Sequence, residues 1–230
     1  MNSIEERRAA FNALVAQASL CRKCPSMCGR RAVLSEHNGA VGARVMFVGE
    51  APGRQGGDRT RVPFSGDQSG RNFTRFIASI NLPREELFIT NSALCNPRKE
   101  SGANRRPTAR EVANCSEFLR RQIEIIDPSV VVTLGAVALA ALSRVEYHQL
   151  TLREAAGQIY KWHGRWLVPL YHPSPQVLAS HRREAAQLCD YQSLARALAQ
   201  ASARREQSSA SPPGARESYQ PESFSVNLSL

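Results

Sequence analysis

The sequence predicts an α/β protein, a three-layer α/β/α domain built on a central, mainly parallel, four-stranded sheet. Four short apolar runs, at 44–49, 87–95, 130–134 and 166–171, alternate with segments of helical periodicity, which is the pattern of strand-helix-strand units. Each run ends in Gly, Pro or polar residues, as buried strands do where they meet a turn. At 230 residues, 42% hydrophobic and 22% charged, the chain is long enough for one domain with a substantial core.

In chain order, Ser3 and Glu6 form a capping box for a first helix whose Phe11, Leu14, Val15 and Ala18 share a face. It runs into Cys21-Arg-Lys-Cys24-Pro-Ser-Met-Cys28. The first strand stops at Glu50-Ala-Pro-Gly53, and a polar loop from Arg54 to Gly66 leads to a helix over 70–80. The second strand ends near Cys95. Thr108 and Glu111 then cap a helix with Val112, Cys115, Leu119 and Ile123 on one side. The third strand precedes Gly135 and an Ala/Leu helix. The fourth delivers His172-Pro-Ser-Pro175, and a last helix spans 182–199. The folded domain is expected over 1–200. A tail over 201–230, rich in Ser, Pro, Glu and Arg and without periodicity, is expected to be disordered.

The net charge of +10 and a pI near 9.9 suit a polyanionic partner such as DNA, although a bias toward arginine gives the same number. No apolar run reaches the length of a membrane span, and Glu5 and Glu6 interrupt any signal-like N-terminus. A cytoplasmic, monomeric protein is expected. Thiols stay reduced in that compartment, so the six cysteines call for another explanation than disulfides. The Cys21-x-x-Cys24 pair reads as metal binding or redox chemistry. With Cys95 at a strand end and Cys115 on the inner side of a helix, a four-thiolate site suits zinc or a [4Fe–4S] cluster. Alternatively, Cys95 and Cys115 are simply small buried residues. Cys28 competes with Cys24 as a ligand, and Cys189, among apolar neighbours, reads as core.

Open parallel sheets bind ligands beyond the carboxyl ends of their strands. The polar segments at Glu50, Asn91 and His172 each follow directly on a strand, so they are expected to converge on one rim. His37, His148, His163 and His181 have no motif around them and read as surface or core.

The ordered set Gly49-Glu-Ala-Pro-Gly53, Val62-Pro-Phe-Ser-Gly-Asp67, Ile89-Thr-Asn-Ser-Ala-Leu-Cys95, Asn104-Arg-Arg-Pro-Thr108, Cys115 and His172-Pro-Ser174 resembles the uracil-DNA glycosylase superfamily. Within it, the set is similar to the fourth and fifth families, which carry a [4Fe–4S] cluster. The resemblance implies cluster ligands at Cys21, Cys24, Cys95 and Cys115, and a first catalytic motif at Gly49, Glu50, Ala51 and the two residues after them. It also implies a base-stacking aromatic at Phe64, a base-reading Asn91 and a second motif at His172 to Ser174. Glu50 and the Thr90-Asn91 pair look like the fourth family. The long loop, the Ser-Gly-Asp67 ending and Asn104 look like the fifth. Gly56 stands where the fourth family has an acidic residue, and no histidine occurs in 98–106, where a covalently trapping subgroup has one.

The implied activity is hydrolysis of the N-glycosidic bond of uracil in DNA, with other deaminated bases as further substrates. One asparagine amide matches the O4 acceptor and N3–H donor of uracil, and cytosine reverses that pattern. His172 is expected to donate to the departing base as negative charge grows there. Asp67 or Glu50 is expected to orient water. Gln176, Val177 and Leu178, after Ser174, are candidates to fill the vacated base stack. The competing reading is a metal-stabilised DNA-binding protein without catalysis, which has no need of three polar groups on three strand ends.

Overall fold

A computed structural model describes residues 3–27 and 29–210. Cys28 and the segment 211–230 lie outside the described residues. The strands are β1 (Val45–Gly49), β2 (Leu87–Asn91), β3 (Val130–Leu134), β4 (Tyr160–Trp162) and β5 (Arg165–Leu170). They form one sheet in the order β2-β1-β3-β5-β4. The first four positions in that order run parallel, and β4 is antiparallel to β5.

The sheet thus has five strands rather than the expected four. The missed strand, β4, is three residues long and turns back through His163 and Gly164, at φ 48° and 70°. Left-handed backbone at both turn residues suits a tight hairpin, but three residues are too few to show a period of two.

The helices are α1 (Ile4–Leu20), α2 (Gly57–Thr60), α3 (Gln68–Ala78), α4 (Ala109–Ile126), α5 (Ala136–Leu142), α6 (Leu152–Ala155), α7 (Pro175–Ser180) and α8 (Glu184–Ala210). Both expected capping boxes form, Ser3 with Glu6 and Thr108 with Glu111. Alternation along the strands divides the core into two layers. Met46, Val48, Phe88 and Val131 face α1, α4 and α5, where Phe11, Leu14, Leu119 and Ile123 meet them. Val45, Phe47, Ile89 and Val132 face Phe73 and Phe76 of α3 and Tyr191 and Leu194 of α8. Edge-on ring pairs seat both sides, Phe11 on Phe88 at 5.5 Å and Phe47 on Phe73 at 5.0 Å.

Two further expectations are corrected. Helix α8 runs to Ala210, past the expected helix end at 199, because no Gly or Pro intervenes between Pro175 and Pro212. Cys189 is exposed, not core. The buried stripe of α8 passes through Gln187, Asp190, Tyr191, Leu194 and Ala197, and Cys189 falls outside it. Among the described residues no helix is long and apolar enough to cross a membrane.

The connection from β1 leads to β2 on one side, and the next crosses back to β3 on the other. Strand order reverses there, which opens a crevice beyond the carboxyl ends of β1 and β3.

Candidate active site

A cavity of about 650 Å³ occupies that crevice, lined among others by Glu50, Ala51, Phe64, Asp67, Asn91, Asn104, His172, Ser174, Gln176 and Val177. The three strand-end groups do converge. Gly49 and Asn91 are register partners across β1 and β2. A Cβ on Gly49 would lie 2.5 Å from the Asn91 Oδ1 and 3.2 Å from the Phe64 ring. Glycine is therefore what lets the carboxamide and the ring close on the end of β1.

Phe64 holds a left-handed backbone, φ 51°, which costs a bulky residue about 1–2 kcal/mol. Its surroundings enforce the geometry. A Cβ on Gly70 would stand 2.4 Å from the Phe64 carbonyl oxygen, and the Arg84 guanidinium donates to the Pro63 carbonyl. The Phe64 ring rests on Phe73 at 4.9 Å and against His172 at 5.5 Å, tilted by 36° and 37°. It forms a supported platform at the cavity wall.

Asn91 is only 4% exposed, and its carboxamide has no hydrogen-bond partner among the described residues. Its polar atoms are not among the fully buried ones left without a partner, and they open onto the cavity, so a donor and an acceptor stand ready for a ligand. The His172 imidazole is likewise unpaired among the described residues. Burial pulls its pKa down to about 4, against the opposing pull of Asp67. Although the ring opens onto the cavity, protein crowds most of it, and it is neutral near pH 7.

The two carboxylates differ. Asp67 caps α3, accepting from the Gly70 N–H at 2.9 Å through Oδ1. Its Oδ2 fills the space where a Gly56 side chain would be, 2.3 Å from the Cβ position. The glycine at 56 and the aspartate at 67 are thus complementary. Glu50 is half-buried. Burial raises its pKa, and Arg106, 3.6 Å away, pulls it back. Asn104 is partly spent on its own loop, its Oδ1 accepting from the Arg54 N–H and the Asn96 Nδ2 at 3.0 Å each.

Three residues escaped the sequence reading. Asn96, buried, ties Asn104 to the Pro52 carbonyl. Arg106 pairs with Glu50. His181 lines the cavity although nothing around it forms a motif. Of the expected stack-filling residues, Gln176 and Val177 line the cavity from α7, whereas Leu178 is partly buried against the core layer that includes Phe73 and Tyr191.

The four cysteines are free thiols. Burial first, then Cys115, Cys21 and Cys24, push the Cys95 pKa up to about 12, and burial followed by Cys24 and Cys21 holds Cys115 at about 11. The four sulfurs therefore feel one another. Cations lie beside them, Arg61 at Cys95 and Lys23 at Cys115, and the Asn114 amide donates to the Cys24 Sγ at 3.3 Å. Among the described residues no group of three or more His, Cys, Asp or Glu side chains is placed to hold a metal ion.

A cavity walled by the adjoining Phe64 and His172 rings, with an unpaired amide and two carboxylates along it, defines an enzyme that takes up a planar heterocycle. The family model described as the Uracil DNA glycosylase superfamily matches residues 36–195, and the chain belongs to that superfamily. It is 36% identical over 156 residues to a type-4 uracil-DNA glycosylase of Thermotoga maritima, covering 67% of this chain and 76% of that protein. The type-4 enzyme of Archaeoglobus fulgidus is 34% identical, covering 74% and 85%. A type-5 uracil-DNA glycosylase of Pyrobaculum aerophilum is 34% identical, covering 60% and 64%.

Proposed function

We propose that this chain hydrolyses the N-glycosidic bond of uracil, and of other deaminated bases, in DNA. It would do so as a cytoplasmic monomer with a folded domain over 1–200. The observation that carries the reading is the buried, unpaired Asn91 carboxamide beside the Phe64 platform. An extruded base stacks on Phe64, and Asn91 donates to O4 and accepts from N3–H. Cytosine would set donor against donor there, and mismatched buried groups discriminate by about 10⁴ or more.

As the bond from C1′ to the base breaks, the base takes the electron pair. The neutral His172 donates a hydrogen bond to its O2, stabilising that charge without giving up a proton. The sugar is left cationic. Asp67, fixed through one oxygen by its cap, holds water with the other, and the water oxygen bonds to C1′ as its proton leaves toward the carboxylate. Glu50 is the weaker candidate because burial favours its protonated form. Ser174, Gln176 and Val177 line the cavity and would meet the DNA strand there; Leu178 would need to leave its core contact to join them.

The reading includes a [4Fe–4S] cluster held by Cys21, Cys24, Cys95 and Cys115. The shared field of the four thiols, the neighbouring cations and the N–H···S contact from Asn114 fit an anionic cluster. A polynuclear group also spans a wider cage than a single ion. When bound, it supplies iron–sulfur bonds that tie the end of α1, the segment after β2 and α4 together. Incubation with DNAs carrying uracil, hypoxanthine, xanthine or T:G tests the activity, and the reading fails if no base is released from any of them.

A further inference from the structure

The loop that presents His172 has little backbone support of its own. Pro173 and Pro175 carry no N–H, and the segment between β5 and α7 joins no sheet ladder. Its position is set from outside by two carboxamides. The Asn72 Nδ2 donates to the Pro173 carbonyl at 2.8 Å, and the Gln187 Nε2 reaches the His172 carbonyl at 3.5 Å. Ser174 then closes the loop as the N-cap of α7, accepting from the Val177 N–H.

Asn72 is 4% exposed and stands beside the apolar stripe that α3 turns to the core, Phe73, Phe76 and Ile77. A buried carboxamide is costly unless both its ends are met. Here Pro173 meets one end, and the Gln68 Nε2, 3.0 Å from Oδ1, meets the other. The same helix begins at Asp67, and its Phe73 supports the Phe64 ring. Asp67 and Asn72 are separated by five positions, about 7.5 Å along a helix. One rigid element therefore sets the carboxylate, the aromatic platform and, through Asn72, the loop that bears the imidazole.

We propose that Asn72 is a positioning residue for the reaction, its hydrogen bond to the Pro173 carbonyl holding His172 in register with Asp67 and Phe64. The inference rests on the function proposed above. Asn72 touches no substrate, and its effect runs through alignment, where a displacement of about 1 Å costs on the order of 10²-fold in rate.

The test compares the full wild-type chain with Asn72→Ala, with the near-isosteric Asn72→Asp, and with Ile77→Val, which loosens the same helix away from the loop. Two quantities are measured: single-turnover release of uracil at saturating enzyme, and affinity for a duplex whose 2′-fluoro-deoxyuridine resists cleavage. Both Asn72 variants should slow release by at least about tenfold while affinity stays within about threefold, a loss confined to the transition state. Ile77→Val should lower Tm and keep the wild-type rate. If Asn72→Ala does not fold, Asn72→Asp decides. Folded Asn72 variants within about twofold of the wild-type rate, or an equal slowing by Ile77→Val, overturn the assignment. A wild-type chain that releases no base overturns the glycosylase reading itself, whereas an active wild type with unaffected Asn72 variants overturns only the positioning claim.

Discussion

Replacing Asp67 by Asn separates the two things this side chain does. Its Oδ1 accepts from the Gly70 N–H at 2.9 Å and caps α3, and asparagine caps a helix as well as aspartate does. The cap survives the substitution. Only the favourable placement of a negative charge at a helix N-terminus is lost, about 0.3–1 kcal/mol of stability. The shape that fills the space at Gly56 is also kept. What disappears is the negative charge of a side chain that lines the cavity, and with it the acceptor for the water proton. A positioned acid–base group contributes about 10²–10⁴-fold, so single-turnover release of uracil should fall at least about 10²-fold. Affinity for uracil-containing DNA should hold, and Tm should barely move. Asp67→Ala should show the same loss of rate and an added loss of about 1 kcal/mol from the missing cap. A rate for Asp67→Asn within a few-fold of wild type would refute the assignment and shift the work to Glu50 or to His172 alone.

Glu50→Gln should cost less than Asp67→Asn in the same assay, and the reverse order would make Glu50 the residue that activates water. Phe64→Ala removes one stacking face and should weaken uracil processing by about 1–3 kcal/mol, read from kcat/KM. Asn91→Asp cannot donate to O4, so its preference for uracil over cytosine should shrink; unchanged selectivity would move base reading to Asn104. The His172 imidazole should titrate near pH 4 by NMR, not near its ordinary value of about 6.5. Its folded pKa lies below the unfolded one, so its contribution to stability is complete above about pH 6.5 and is lost as pH falls toward 4. A titration near 6.5 would show that burial does not hold the ring neutral. Cys95→Ala and Cys115→Ala should lose iron, the visible absorption near 400 nm and stability together, and full iron content in both would rule out the four-cysteine ligand set.

The strands at 45–49 and 130–134 were legible because fully buried parallel strands are uninterrupted apolar runs, whereas the second was read too long, since β2 stops at Asn91 and Cys95 lies four residues beyond its end. The caps at Ser3 and Thr108 were legible because a capping box lies within four residues. The same locality explains the misses. Strand β4 exists because β5 is there to pair with it, and its three residues carry no pattern of their own. Asn72, Asn96 and Gln187 act across 101, 44 and 15 positions of the chain, and an isolated Asn or Gln in a helix or after a strand gives no sign of a distant carbonyl. Asp67 was legible as a site residue through its motif, but its cap on α3 appears only once the helix start is known. Cys189 was misplaced because a difference of one position in helical phase separates the buried stripe from the solvent.

The most direct test is whether the purified, iron-loaded chain opens abasic sites at uracil. A labelled duplex with one U:G pair, and its C:G counterpart, are incubated with the wild type and with Asp67→Asn and then treated with alkali. The wild type should break the strand at uracil and leave the C:G duplex intact, and Asp67→Asn should bind the U:G duplex without breaking it on the wild-type timescale. Binding by the wild type with no break at uracil would contradict the account and leave a DNA-binding protein in place of an enzyme.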